Sequence, residues 1–116
     1  MTEAPRAGSR YAAVVVLELL PAWLARSRAE RNAATARLRP ILDRYRDVRF
    51  RWFDADALGH GYTDFVICEF DDLERYQFLW DEIRDTEFFT LPLARIRHVM
   101  LGSEDGYRRF EAVRGA

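Results

Sequence analysis

Two hydrophobic periods alternate along this chain, in the order strand, helix, strand, strand, helix, strand, and that order restricts its folds more than any single residue does. "YAAVVVLELL" (Tyr11 to Leu20) is rich in Val and Leu and reads as a strand that Pro21 stops. "SRAE" (Ser27 to Glu30) has the spacing of a capping box and opens a helix to about Tyr45. Its apolar stripe is Ala34, Leu38, Ile41, Leu42 and Tyr45, and Pro40 inside that stripe should kink or split it. "VRFRWFDA" and "TDFVICEF" are two further strands, the first with strict alternation. Asp71–Asp72 caps a second helix with the face Leu73, Tyr76, Trp80, Ile83. "EFFTLP" reads as a turn, "LARIRHVML" as the last strand and "SEDGYRRFEAV" as a tail with at most a helical turn.

The result is a β-α-β-β-α-β chain, the α+β ferredoxin-like arrangement: an antiparallel sheet in the order 4-1-3-2 with two helices on one face. Length suits one domain over residues 10–116, behind a polar, disordered segment at residues 1–9. The sheet's other face would be bare. Pleat parity gives it Val14, Val16, Phe65, Ile67, Val99 and Leu101, with a rim of Glu and Arg, a pattern suited to a homodimer interface.

Charge and composition remove several function classes. A net charge of −1 offers no general attraction to nucleic acid or to an anionic membrane. All eighteen basic residues are Arg, so carboxylates here meet forked, bidentate partners. No apolar run approaches a membrane span, and Glu18 interrupts the one stretch that resembles a signal core, so the expected location is the cytoplasm. One cysteine, Cys68, excludes an internal disulfide and a thiolate metal cage, and reads as an inert core residue.

The stretch "FDADALGHGYTDF" (Phe53 to Phe65) gathers most of the remaining chemistry. Asp54, Asp56 and Gly59 match the start of a calcium loop, but Leu58 and Phe65 stand where oxygen ligands are needed, so no metal is assigned. The plainer reading is a hairpin in which Gly59 and Gly61 supply positive φ. Parity points Asp54 and Asp64 to the covered face as neighbours. His98, by the same count in the last strand, also points inward. The topology then brings Trp23, Arg31, Asp54, His60, Tyr62, Asp64, Arg84 and Phe88 toward one end of the sheet. Aromatics, carboxylates and arginines together make a mouth suited to a small apolar or aromatic ligand. In the catalytic reading Asp54, Asp64 and His60 move protons, while Trp23, Arg31, Tyr62, Arg84, Phe88 and His98 bind substrate. In the structural reading Arg31 or Arg84 bridges Asp54 or Asp64 and locks the elements together.

Four pieces in order, "PAWLARSRAERN", "FDADA", "LWDEIRDTEFF" and "GSEDGYRRFE", resemble the darcynin family of small bacterial proteins, whose biochemical function is largely unassigned. The resemblance implies a ferredoxin-like domain of the dimeric α/β-barrel type. Asp56 stands where that family tends to carry Glu, and "LGHGY" follows it, so the loop is where specificity would differ. That fold class hosts cofactor-independent cyclases, isomerases and monooxygenases, some in secondary metabolism. Flavin, nicotinamide and haem signatures are absent from the sequence, so the expected function is cofactor-independent proton-transfer chemistry in the cleft. The alternative is a non-catalytic ligand-binding, structural or regulatory dimer.

Overall fold

Strands form where the period-two stretches lie: β1 (Tyr11–Leu19), β2 (Arg49–Asp54), β3 (Asp64–Phe70) and β4 (Ala94–Ser103). The computed structural model describes residues 9–115. The expected disordered segment at residues 1–9 therefore lies, but for Ser9, outside the described residues. The sheet is antiparallel throughout, in the order β2-β3-β1-β4, which is the expected order read from the other edge.

The long helical stretch after β1 is broken into α1 (Pro21–Leu24), α2 (Arg28–Ala36) and α3 (Arg39–Arg44). Ser27 caps α2 with a full capping box: its Oγ accepts from Glu30 N at 3.1 Å, and Glu30 Oε1 accepts from Ser27 N at 2.8 Å. Pro40 lies in the first turn of α3, where its missing N–H costs nothing, so the helix splits just before it. Asp72 caps α4 (Leu73–Arg84) by accepting from Glu74 N and Arg75 N. "EFFT" is a short helix, α5 (Glu87–Thr90), and not only a turn; it seats Phe88 in the core. The tail forms a longer helix than expected, α6 (Gly106–Arg114), none of whose residues is buried.

One face of the sheet meets the helices. Ala13, Val15 and Leu17 of β1 and Val66, Cys68 and Phe70 of β3 alternate inward and share one core with Ala34, Leu38, Ile41, Leu79 and Ile83. Complete burial of side chains such as Leu17, Val66 and Leu79 contributes about 1.5–3 kcal/mol each. The helical layer covers β1 and β3 fully but leaves β2 half open. Phe50, Trp52 and Asp54 share the inner face with Asp64 and Val66, yet Trp52 is 39% exposed.

β4 departs from simple pleat counting. Val16 pairs with His98 but Leu17 pairs with Ile96, so a β-bulge places Arg97 between them. Before the bulge Ala94 and Ile96 face the core. After it the parity is reversed: Val99 and Leu101 share a side with Val15 and Ala13, while His98 and Met100 lie beside Val16 and Val14 on the open face. The inward orientation expected for His98 is thus corrected, as is the assignment of Val99 and Leu101 to the bare face. The open face reads, row by row, Arg51–Ile67–Val14–Met100 and Phe53–Phe65–Val16–His98. Phe53 and Phe65 stack there at 4.9 Å. Arg49–Glu69 and Glu18–Arg95 flank these rows as ion pairs.

Candidate functional site

Asp54 and Asp64 face each other across the β2–β3 ladder, as the alternation predicts. The connection between them is folded tightly. Ala55 N donates to Thr63 O at 2.8 Å, Gly59 N donates to Ala55 O at 2.8 Å, and Asp54 Oδ1 accepts from Asp56 N. Thr63 ties this hairpin to β1: its N–H donates to Leu17 O at 3.0 Å and its Oγ1 accepts from Leu19 N at 2.8 Å. Gly61 has φ +90°, the conformation expected of it. Gly59 lacks the positive φ expected of it; a Cβ there would lie 2.6 Å from the Tyr62 ring, which packs over it, so a side chain would displace that ring.

That packing decides where the loop residues go. Tyr62 lies on Gly59 and is not part of the cleft wall. His60 is exposed at the loop tip and does not line the cleft either. Arg84 is exposed with its guanidinium 5.8 Å from the Phe89 ring centroid, outside the cleft lining. His98 is on the opposite face of the sheet. Trp23, Arg31, Asp54, Asp64 and Phe88, by contrast, are brought together.

Their positions follow from local contacts. Leu20 N donates to Leu93 O at 2.8 Å, which places α1 and Trp23 against the start of β4. Arg26 pairs with Glu87 at 2.9 Å, and Arg37 also pairs with Glu87, pinning α5 to the helical layer. Phe88 then packs at a tilt against Trp23, ring centroids 5.2 Å apart, and near Trp52 at 6.4 Å. The cleft between this aromatic wall and the sheet has two lobes. One, of about 410 Å³, runs between α2 and the hairpin and is bordered by Arg31, Asn32, Asp54, Asp56 and Asp64. The other, of about 340 Å³, is bordered by Trp23, Leu38, Trp52, Asp64 and Phe88. Asp64 borders both.

Asp64 is the unusual group. It is 5% exposed and is the buried charged residue among the described residues. Its Oδ2 accepts from Trp52 Nε1 at 2.7 Å. Its Oδ1 is buried with no hydrogen-bond partner among the described residues. Burial pushes the Asp64 carboxyl above the usual carboxylate range; the Trp52 N–H and Thr63 hydroxyl oppose this, and the charges of Asp54 and Asp56 add to it. Thr63 lies near enough to act on the charge, but its hydroxyl closes no hydrogen bond on Oδ1. Arg31 does not neutralise Asp64. Its Nη2 donates to Leu24 O at 2.8 Å, and its Nε–H is buried without a partner among the described residues. The Arg–Asp bridge of the structural reading is not formed among the described residues by Arg31 or Arg84.

The indole of Trp52 is the functional contact that sequence reasoning missed. The signal was present, since Trp52 pairs with Val66 and so sits diagonally from Asp64 on the same face. Cys68 is buried, and burial pushes its thiol up to about 11, against a weaker effect of the Trp80 indole. No grouping of three or more His, Cys, Asp or Glu suited to a metal ion occurs among the described residues. No helix among them is long and apolar enough to cross a membrane.

Solved structures resemble this fold at low sequence identity. A haem-binding protein from Thermus thermophilus superposes with a TM-score of 0.78 at 16% identity, over 97% of this chain and 47% of its own. A chlorite dismutase mutant from Candidatus Nitrospira defluvii gives 0.74 at 9% identity, over 86% of this chain and 42% of its own. This chain therefore spans less than half the length of either. The shared architecture is the ferredoxin-like α+β fold of the dimeric α/β-barrel class. Darcynin 1 of Acinetobacter baumannii is 38% identical over 85 residues, covering 73% of this chain and 92% of that protein. Darcynin of Chromobacterium violaceum is 33% identical over 75 residues, covering 65% of this chain and 95% of that protein. The family model for darcynin, a domain of unknown function, matches residues 3–115, and the chain belongs to that family.

Proposed function

We propose that this protein binds a small, flat, apolar molecule in the cleft between sheet and helices and moves a proton on it with Asp64, without a cofactor. One observation carries the reading: a buried carboxyl with one oxygen fixed by Trp52 and the other without a partner among the described residues, bordering both lobes of an aromatic cleft. A carboxyl whose pKa burial raises is a stronger base when ionised than an ordinary carboxylate, and it can return the proton as an acid. Asp64 carboxylate takes a proton from carbon beside a ligand carbonyl. The C–H electron pair becomes an enolate, and the new carboxylic acid returns the proton at the same or a conjugated carbon. Arg31 Nε–H faces the developing negative charge on oxygen in this scheme. Asp54 contributes by its charge, which raises the affinity of Asp64 for the proton. His60 and Tyr62 have no part in it.

The resemblance to a haem-binding protein raises the question of whether haem iron would fit this cleft. Haem iron is held by His, Cys, Met or Tyr. None of these lines either lobe. His98 lies on the far face, and the Cys68 thiol is buried and pushed up to about 11. The cleft does not fit haem, and no step is assigned to it.

The open sheet face is the proposed seat of a second copy of this chain. In support, Ile67, Val14 and Met100 in one row and Phe53, Phe65 and Val16 in the next lie side by side between flanking ion pairs, and Met100 of the edge strand is 51% exposed.

The proton-transfer reading is tested with an enolisable aryl ketone, 2-tetralone, in D₂O. The protein should accelerate exchange of its C1 protons, followed by NMR, and Asp64→Asn should return the rate to that of buffer. Equal rates with the two proteins would remove Asp64 as the proton carrier.

A further inference from the structure

Two residues that border the same cleft each carry a buried polar atom without a partner among the described residues. Asp64 Oδ1, on the sheet, is an acceptor; Arg31 Nε–H, on α2, is a donor. An unpaired buried polar group is costly, and a native fold keeps one mainly where something else supplies the partner. Both groups are also held in place by their other atoms, Asp64 through Trp52 Nε1 at 2.7 Å and Arg31 through Leu24 O at 2.8 Å. They are therefore fixed recognition points.

We infer that the ligand is a neutral, planar hydroxyaryl ketone, whose hydroxyl donates to Asp64 Oδ1 and whose carbonyl accepts from Arg31 Nε–H. This rests on the cleft reading above, not on its carbon-proton step, and adds to it the pattern of ligand polar groups; in this pose the proton within reach of Asp64 Oδ1 is the ligand hydroxyl's, and the charge left on the ligand spreads to the carbonyl at Arg31. An aromatic body suits the walls, where Phe88 lies 5.2 Å from Trp23 and 6.4 Å from Trp52 and the tilted rings offer both faces and edges. A carbonyl suits Arg31 better than a carboxylate, because a carboxylate takes two parallel N–H bonds and Nη2 of the same fork is already spent on Leu24 O. The lining carries both signs of charge, Arg28 and Arg31 with Asp54, Asp56 and Asp64, which suits an uncharged molecule. The cleft also continues outward. A groove of about 690 Å³ runs past Trp52 along the uncovered inner face of β2 to Phe50 and Leu42. A second fused ring or an alkyl tail would lie there.

Three probes differing by one group test this: 6-hydroxy-2-acetonaphthone, its methyl ether, and 2-naphthol, titrated into the full chain by calorimetry and by NMR of the indole N–H signals. The hydroxyketone should bind tightest. The ether, which lacks the donor, and naphthol, which lacks the acceptor, should each bind about tenfold or more weakly. Asp64→Asn should erase the preference for hydroxyl over ether, and Arg31→Leu the preference for the ketone over naphthol. Should Arg31→Leu fail to fold, the wild-type comparison of the three probes still decides. Equal binding of hydroxyketone and ether, with the Trp52 indole signal shifted by both, would overturn the ligand pattern and leave the cleft standing. No shift of that signal with any probe at millimolar concentration would overturn both.

Discussion

Removing the charge from Asp64 should make this protein more stable, and the gain should depend on pH. In the native state Asp64 Oδ1 is buried without a partner among the described residues, and Asp54 and Asp56 add repulsion. Such a bare, buried acceptor costs about 1–3 kcal/mol, and a charged one more. Asn is nearly isosteric, still accepts from Trp52 Nε1 through its carbonyl oxygen, and carries no charge. At pH 8 the variant should gain about 1–2 kcal/mol, which for a domain of this size is a rise in Tm of roughly 4–8 °C per kcal/mol. The sign follows from proton counting. The carboxyl has a higher pKa folded than unfolded, so the native state holds more protons between the ordinary value of 3.8 and the raised one. Wild-type stability from this group is therefore full below 3.8 and is lost as pH rises through the folded value. The variant lacks this loss, so the two proteins should converge in acid and separate with rising pH. Glu18, Glu82 and Glu87, whose pKa values are lowered first by hydrogen bonds from Arg95, Arg44 and Arg26, weaken both proteins alike in acid and cancel in the difference. Urea unfolding of both proteins from pH 4 to pH 8.5 measures it. A variant that is less stable at pH 8, or an increment that does not change with pH, would refute the account.

Trp52→Phe keeps the ring but removes the N–H at 2.7 Å from Asp64 Oδ2; it should lower stability at neutral pH by about 1.5–3 kcal/mol, the worth of a hydrogen bond to a charged group, and almost nothing once Asp64 is protonated, by the same unfolding titration. Cys68, buried with its thiol pushed up to about 11, should resist a thiol-specific reagent at pH 8 in the folded protein and react fully in denaturant, read by absorbance. Sedimentation at micromolar concentration should give twice the chain mass, and Phe65→Glu on the open face should give a monomer; a wild-type monomer would remove the proposed interface.

Much of this fold was legible because its signals are local. The capping box at Ser27 and the split before Pro40 need only neighbouring residues, and the facing of Asp54 and Asp64 needs only a hairpin with alternating strands. The errors arise where distant parts of the chain decide. "ARIRHVML" alternates without interruption and has no glycine to mark a bulge; the inserted Arg97 is visible only in the pairing with β1. Parity past that point came out inverted, and His98 with it. Tyr62 looked like a rim residue by its place in the loop, but the bare α-carbon of Gly59 gives its ring a closer surface than the cleft. Arg84 is one turn past Trp80, yet α4 ends with it against Phe89 and in solvent. The bond between Trp52 and Asp64 required a diagonal across two strands, which no linear motif encodes.

The bulge at Arg97 also bears on whether another chain can add to the sheet at its edge. β4 is an outer strand, and an outer strand with unpaired N–H and C=O groups invites another chain to add to the sheet. Here the kink at Arg97 breaks the straight run of hydrogen-bonding groups, and Arg95 and Arg97 place charge beside it. The opposite outer strand, β2, carries Arg49 and Arg51. Both borders of the sheet thus resist strand addition, which disfavours open-ended polymerisation through the edges and leaves the proposed interface on the open face as the route by which two copies would pair.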